Sequence, residues 1–356
     1  MLKEELLTEN AVDWPTVSIV LPCRNEVRHI GPCLDSILAS DYPQDRIEVV
    51  IADGMSDDGT REVIATYAAA HARIVMIDNP RRTAPSAMNV AIRAAGGEIV
   101  VRMDAHAMYP TDYLTRLVGA LLESGADNVG TLVETLPADD TPMARAIAVG
   151  LSHRLGVGNS AFRVGTATRK WVDHVCFGCW RREVFERLGE FDEELVRGQD
   201  VEFNARLLNQ GGRILLLPDV ASGYHARRTL GQVAGMMYQY GYFKPLIARK
   251  AGRIVTARQL VPSLLVLGIL CSAALGLWWP AAFRVLAAIV GSYTLMVSAA
   301  SLLRLQRQGW RTGLALAAVF PTMHFCYGVG YLQGLIDHFL PFRRARRSPA
   351  AVALTR

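Results

Sequence analysis

A chain of 356 residues is long enough for one large domain or two modest ones. At 51% hydrophobic and 20% charged it is too apolar for a wholly water-facing protein, and the excess lies in the last third. The net charge of +5 comes from arginines clustered at 227–258, 304–311 and 343–347, beside apolar runs, which points to anionic lipid and not to nucleic acid as the partner.

In chain order, residues 16–21 read as a strand that breaks at Pro22, followed by a helix with Ile30, Leu34, Ile37 and Leu38 at helical spacing. Strand 47–52, a helix from Thr60, strand 73–78, a helix starting near Pro85, a strand through Val101 and a helix near Leu114 come next. Four strand–helix pairs in order imply an α/β fold with a mostly parallel central sheet. Ligands of such sheets sit beyond the carboxyl ends of the strands, where Asp53 and Asp104 fall. A strand at "NVGTLVETLP", a short helix after "FGCW", a helix beginning near Asp200 and a strand at "RILLLPD" follow. Residues 139–170 are small and arginine-rich and are read as shaping a substrate pocket.

After Gly223 the pattern changes. The segment 229–258 mixes aromatics with lysine and arginine and is expected to lie along a membrane surface. Residues 260–279 and 283–303 are apolar enough and long enough to cross about 30 Å of hydrocarbon. A third candidate, 313–336, carries Pro321 and His324 and is more polar. Arg249, Lys250, Arg253 and Arg258 before the first span, and Arg304, Arg307 and Arg311 after the second, are expected on the cytoplasmic side. Three full crossings would put "FRRARR" on the other side, against the same rule, so the third segment either bends back at Pro321 or breaks the rule. The expected organisation is a lead at 1–14, a catalytic domain at 15–228, an interfacial segment at 229–258, a membrane region at 259–340 and a basic tail at 341–356. Glu4 and Glu5, with no long apolar run beside them, do not form a signal-peptide pattern. The six cysteines lack the second pair that a structural zinc site needs and are read as small buried hydrophobes.

The chain has neither G-x-G-x-x-G after its first strand nor a G-x-x-x-x-G-K-[ST] loop. A nucleotide diphosphate must then be held another way, and a bridging divalent ion is the direct physical solution. Asp104 and His106, two apart in extended chain, face the same way and can share such an ion, or His106 can act through a hydrogen bond or water. Asp53 can accept from a bound base or sugar, while Ser56 or Asp58 beside it can serve simply to cap the next helix.

Taken together, "VSIVLPCRNE", "ADGMSDDGT", "NPRRTAPSAMNVAI", "VRMDAHAMYP", "FGCWRREVFERLGEFDEEL" and "GQDVEFNARLLNQGG" resemble the family 2 glycosyltransferases, closest to membrane-attached enzymes that build bacterial exopolysaccharide repeat units. The resemblance spans about residues 15–228. It implies a GT-A fold and a nucleoside-diphosphate-sugar donor, with UDP-glucose favoured. It makes Asp53 the contact to the base, with Pro22, Arg24 and Glu26 lining the same pocket. Asp104 and His106 stand where the family carries its Asp-x-Asp motif for Mn²⁺ or Mg²⁺, with His replacing the second acid; His225 is a further metal or diphosphate contact. Asp200 matches the catalytic base, with Gln199 replacing the usual glutamate, and Arg227 or Arg228 would stabilise the leaving diphosphate. Direct displacement gives inversion. The Gln-x-x-Arg-Trp motif of processive synthases is missing after Gln239, which implies one sugar per encounter. The acceptor is expected to be polyprenyl-diphosphate-linked, or polyprenyl phosphate itself, at the cytoplasmic face of a bacterial inner membrane. The rival readings are a nucleotidyl- or phosphotransferase and a non-catalytic membrane scaffold. The oligomeric state is open.

Overall fold

The computed structural model describes residues 13–254 and 256–339, the side chains of Gln306 and Arg307 excepted. Nearly all of the expected lead (1–14) and the whole basic tail (341–356) lie outside the described residues.

The elements run β1 (Val17–Cys23), α1 (Ile30–Leu38), β2 (Ile47–Asp53), α2 (Thr60–Ala70), β3 (Ile74–Asp78), α3 (Ala84–Ala94), β4 (Ile99–Arg102), β5 (Ala107–Met108), α4 (Tyr113–Ser124) and β6 (Asn128–Leu136). Three helices, α5 (Pro142–Ser152), α6 (Arg154–Val157) and α7 (Ala161–Val164), fill the small, arginine-rich stretch 139–170. Then come β7 (Lys170–Trp171), β8 (Cys179–Arg181), α8 (Arg182–Leu188), α9 (Gln199–Asn209) and β9 (Ile214–His225). Four long helices close the chain: α10 (Leu230–Lys250), α11 (Val261–Gly276), α12 (Ala281–Gln308) and α13 (Trp310–Phe339).

One sheet has the order β3-β2-β1-β4-β8-β6-β9-β5, with β7 also on β9. Its parallel pairings are long, seven residues for β1–β2 and nine for β6–β9. The antiparallel ones, where β8 enters between β4 and β6, are two or three residues each. The expected parallel sheet is thus present with short antiparallel joints. Strand alternation divides the core: Ile19, Leu21, Ile51 and Val101 pack under α1 and α4, while Val20, Val50 and Val100 pack against Met88, Phe185 and Phe203 on the opposite face. Each such fully buried side chain contributes about 1.5–3 kcal/mol.

Pro22 does not break β1, contrary to expectation. It pairs with Ala52 on the β2 side, and on the other side β4 pairing ends at Val20, so its missing N–H interrupts no bond there.

The later helices form a second unit of packing. α11 and α12 make an antiparallel hairpin that exposes Leu264, Leu270, Leu295 and Leu303, with Trp278 and Trp279 at its tip. Three helical stretches, Ala257–Gly276, Ala281–Leu305 and Trp310–Phe339, are long and apolar enough to cross a membrane. α13 passes through Pro321 without a break, so the expected choice of a bend there is not taken; the Thr322 hydroxyl donates to the Ala318 carbonyl in that turn. α10 carries Tyr242, Phe243, Leu246 and Ile247 buried against Leu195 and Val196, and on another side packs along α13. Arg249 donates to the His338 carbonyl, Lys250 pairs with Glu194 at 2.6 Å, and Arg253 is exposed.

Candidate active site

Two loops at the carboxyl ends of β1 and β2 are stitched together. The Asn25 and Glu26 amides donate to Ser56 Oγ (2.8 Å) and Thr60 Oγ1 (2.7 Å), and Asp57 N donates to Asn25 Oδ1 (3.0 Å). Asn25 and Met55 adopt φ of +52° and +57°, which lets both loops turn within a few residues. Arg24 lies directly over Gly54, where a Cβ would stand 3.1 Å from its side chain. Asp53 sits beneath with 0% exposure. Its carboxylate accepts from Ser56 N (2.9 Å), Ser56 Oγ (2.5 Å) and Arg61 Nη1 (2.6 Å). In this structure Asp53 therefore organises the loop that would face a base, and Asp58 caps α2 by accepting from Thr60 N.

Asp104 lies two residues past β4. Its carboxylate meets Arg102 Nε at 3.1 Å, and Arg102 is itself 7% exposed. Burial works against the Arg102 charge, but Asp104 and Asp200 outweigh it and raise its pKa, so the guanidinium stays charged. His106 turns Nδ1 towards Glu26 Oε1 at 3.5 Å, which ties the first loop to the β4 end. Burial disfavours its charged form, yet the Glu26 bond and the Asp104 and Glu26 charges raise its pKa above the ordinary imidazole value.

Asp200 stands in the first turn of α9. Gly198 precedes the helix at φ +75°, and a Cβ there would come within 2.6 Å of Ile247 Cδ1, so only glycine fits this turn. His174 Nε2 lies 3.6 Å from Asp200 Oδ2. The Asn204 amide reaches His174 Nδ1 (2.8 Å) and the Val175 carbonyl (3.1 Å), and its oxygen accepts from Asn128 (2.9 Å). An amide donor on Nδ1 leaves the imidazole proton on Nε2, aimed at Asp200.

Asp104, His106, Asp200, His174 and Arg227 line one cavity of about 840 Å³. Asp53, Pro22, Arg24 and Glu26 do not line it: Pro22, Arg24 and Glu26 belong to β1 and its loop beside β4, with Glu26 touching the cavity only through His106, and Asp53 ends β2, two strands from β4 and so about 10 Å away across the sheet. Of the three acids expected around one sugar, two share the cavity and Asp53 stands outside its wall. His225 is not brought to it either: strand alternation sends Tyr224 into the cavity and leaves His225 exposed, with Nδ1 3.4 Å from the Pro137 carbonyl. Arg227 faces in, with its Nε buried and unpartnered among the described residues, whereas Arg228 pairs outside with Asp139 at 2.6 Å. Among the described residues no three His, Cys, Asp or Glu side chains are placed to hold an ion together. Asp104 and His106 instead suit an ion that draws most of its ligands from a bound diphosphate.

Sequence reading missed Arg102, His174, Asn204 and Lys244. His174 and Asn204 matter through contacts between elements, Lys244 through its place in the cavity wall, and only the position of Arg102 on a strand end carried a hint.

Residues 18–189 match the family described as Glycosyl transferase family 2. Over 338 residues the chain is 32% identical to the succinoglycan biosynthesis protein ExoA of Rhizobium meliloti (strain 1021), covering 92% of this chain and 96% of that one. It is 27% identical over 242 residues to a dolichyl N-acetyl-alpha-D-glucosaminyl phosphate 3-beta-D-2,3-diacetamido-2,3-dideoxy-beta-D-glucuronosyltransferase of Methanococcus voltae, covering 66% and 74%. The mannosyltransferase PcManGT from Pyrobaculum calidifontis, solved with GDP-Man and Mn²⁺, shares the fold at TM-score 0.56 and 23% identity, covering 91% and 88%. The chain is a GT-A glycosyltransferase with apolar C-terminal helices, related to exopolysaccharide and polyprenyl-phosphate glycosyltransferases, and it belongs to glycosyltransferase family 2.

Proposed function

We propose that this chain transfers one hexose, glucose favoured, from a UDP-sugar to a polyprenyl-diphosphate-linked glycan, with inversion, at the cytoplasmic face of a bacterial inner membrane. The observation that carries this reading is that Asp104 and Asp200 line one cavity that also reaches the apolar helices α11, α12 and α13. The similarity to ExoA and the GDP-Man and Mn²⁺ bound in PcManGT support the donor class. Residues 15–228 would be the catalytic part.

In this reading the β1 and β2 loops, with Pro22, Arg24, Glu26 and Asp53, form the base end of the donor site. Asp104 and His106 would hold Mn²⁺ or Mg²⁺, which when bound offsets the charge of the donor diphosphate. Arg227 takes the phosphate charge that grows as the leaving bond stretches. Asp200 removes the proton from the acceptor hydroxyl. That oxygen bonds to the anomeric carbon from the face opposite the diphosphate, and the breaking C–O pair leaves on the diphosphate oxygen.

The test is Asp200→Asn in the full-length enzyme, assayed with UDP-glucose and membrane acceptor. UDP binding by calorimetry stays within about twofold of wild type, and transfer falls about 10²–10⁴-fold. Transfer at the wild-type rate would remove Asp200 from the role of base.

A further inference from the structure

The cavity that holds Asp104 and Asp200 extends well beyond what a donor sugar needs. Its far wall is built by Leu265 of α11, Ile289 and Met296 of α12, and Met323 and Tyr327 of α13. These residues lie where the α11–α12 hairpin meets the catalytic part, and the outer faces of the same helices expose Leu264, Leu267 and Leu295. An apolar passage therefore runs from the lipid-facing helices to the catalytic carboxylate.

Charge marks where that passage stops being apolar. Seven arginine or lysine side chains line the cavity against three carboxylates. Arg102 is taken by Asp104, and Arg227 stands at the donor end. Lys244 lines the cavity near Asp200, Asp173 and Arg258, and Arg258 lies three residues before α11 begins. Arg258 donates to the Asn159 carbonyl at 3.4 Å and reaches Asp173 only at 3.7 Å, and Lys244 makes no ion pair among the described residues. Burial depresses the Lys244 ammonium to about 8 even though Asp200 pulls the other way, so an anion beside it would relieve a real cost.

We propose that this half of the cavity seats the anchor of a lipid-linked acceptor: an isoprenoid chain runs between α11, α12 and α13, and its phosphate rests on Lys244 and Arg258. This rests on the reading of the chain as a transferase to lipid-linked glycan and names where that lipid lies. A single chain ending in phosphate suits a wall of Leu265, Ile289, Met296 and Met323 that leads to the cations Lys244 and Arg258 near the carboxylate. The sugar beyond the phosphate then arrives at Asp200 with its hydroxyl next to the base.

The experiment uses the full-length enzyme in lipid nanodiscs with two acceptors that carry the same sugar diphosphate, one on a long polyprenyl chain and one on a short alkyl group. For Ile289→Trp and Met296→Trp, which narrow the passage, the ratio of kcat/KM for the long acceptor to that for the short one falls at least about tenfold. For Lys244→Ala, KM rises for both acceptors. Retained UDP binding reports that each variant folds. In parallel, a polyprenyl diphosphate bearing a benzophenone near its head labels peptides of α12 or α13, and a benzophenone phosphatidylglycerol does so far less. An unchanged ratio in both tryptophan variants, or equal labelling by the phospholipid, overturns the proposal. If the wild-type enzyme uses neither acceptor, it is the functional reading that fails; if it uses both and the tryptophan variants match it, only the lipid passage fails.

Discussion

At the scale of single residues, the site works by fixing carboxylates with partners that themselves have no freedom. Asp104 is locked to a buried Arg102, and removing either partner of such a pair costs roughly 3–5 kcal/mol. Asp200 faces His174 Nε2 at 3.6 Å, and that ring is in turn set by Asn204 and Asn128. His174 therefore acts as a positioning residue. His174→Gln should lower kcat about ten- to a hundredfold with the donor KM little changed, because the base is misaimed and not removed. The same residue gives a pH signature. Burial holds the His174 pKa below its ordinary value, against the pull of Asp200, so the folded protein binds its proton less readily than the unfolded chain. Its contribution to stability is complete above the unfolded pKa of about 6.5 and is lost as pH falls through the lower folded value. Thermal unfolding between about pH 7.5 and pH 5 should then show a steeper loss for wild type than for His174→Gln; parallel slopes would mean that His174 is not buried as a neutral ring.

At the scale of elements, glycines decide how closely α10 and α13 pack. A Cβ on Gly241 of α10 would lie 2.0 Å from the Tyr327 carbonyl oxygen of α13, and one on Gly330 or Gly334 would lie 2.1 or 2.2 Å from the carbonyls of Tyr238 and Tyr242. The two backbones touch at three levels, as small-residue helix pairs do. The Tyr242 hydroxyl donates to Asp337 at 3.2 Å across the same seam. Gly330→Leu or Gly334→Leu must push the helices apart and should cost about 1–3 kcal/mol or more, read as a lower midpoint of thermal aggregation in detergent. Gly231, where a Cβ meets nothing within 4 Å, is the control; a glycine-to-leucine change as mild at 330 and 334 as at 231 would deny the tight seam. These elements also show where sequence reading succeeds and stops. Near-continuous apolar runs in β1, β2 and β4 announce strands buried on both faces, and the helical pattern that begins near Asp200 announces α9. His225 falls outside the cavity because one step along a strand exchanges faces, and the register of β9 depends on a shift near Thr131 and Leu132 of β6 that no local pattern reveals. His174 was missed because its partners lie on distant elements.

At the scale of the whole molecule, the helical unit has one hairpin with an exposed apolar face and one helix packed against both halves. Only 11% of the apolar window of α12 and 22% of the stretch containing α11 are buried, against 44% for α13. α13 lays Val319 and Met323 over Gly150 of α5, bonds His324 to the Leu155 carbonyl (2.8 Å) and runs on along α10. Those contacts tie α13 to α5, α6 and α10 along most of its length. If α11 and α12 cross and return while α13 stays on the catalytic side, the tail at 343–347 remains with Arg249, Arg253 and Arg304, and the charge conflict of three crossings disappears. The expected outcome is that a cysteine added after Arg356 and a cysteine at the exposed Thr168 react from the same membrane face with an impermeant maleimide, in sealed vesicles of one orientation and a background free of other accessible cysteines. A cysteine at Trp278, on the hairpin tip, should react only from the opposite face or not at all, since tryptophans there suit the far headgroup layer. Labelling of the tail from the face opposite Thr168 would instead make α13 a full crossing, and the seam between α10 and α13 would then have to lie inside the bilayer.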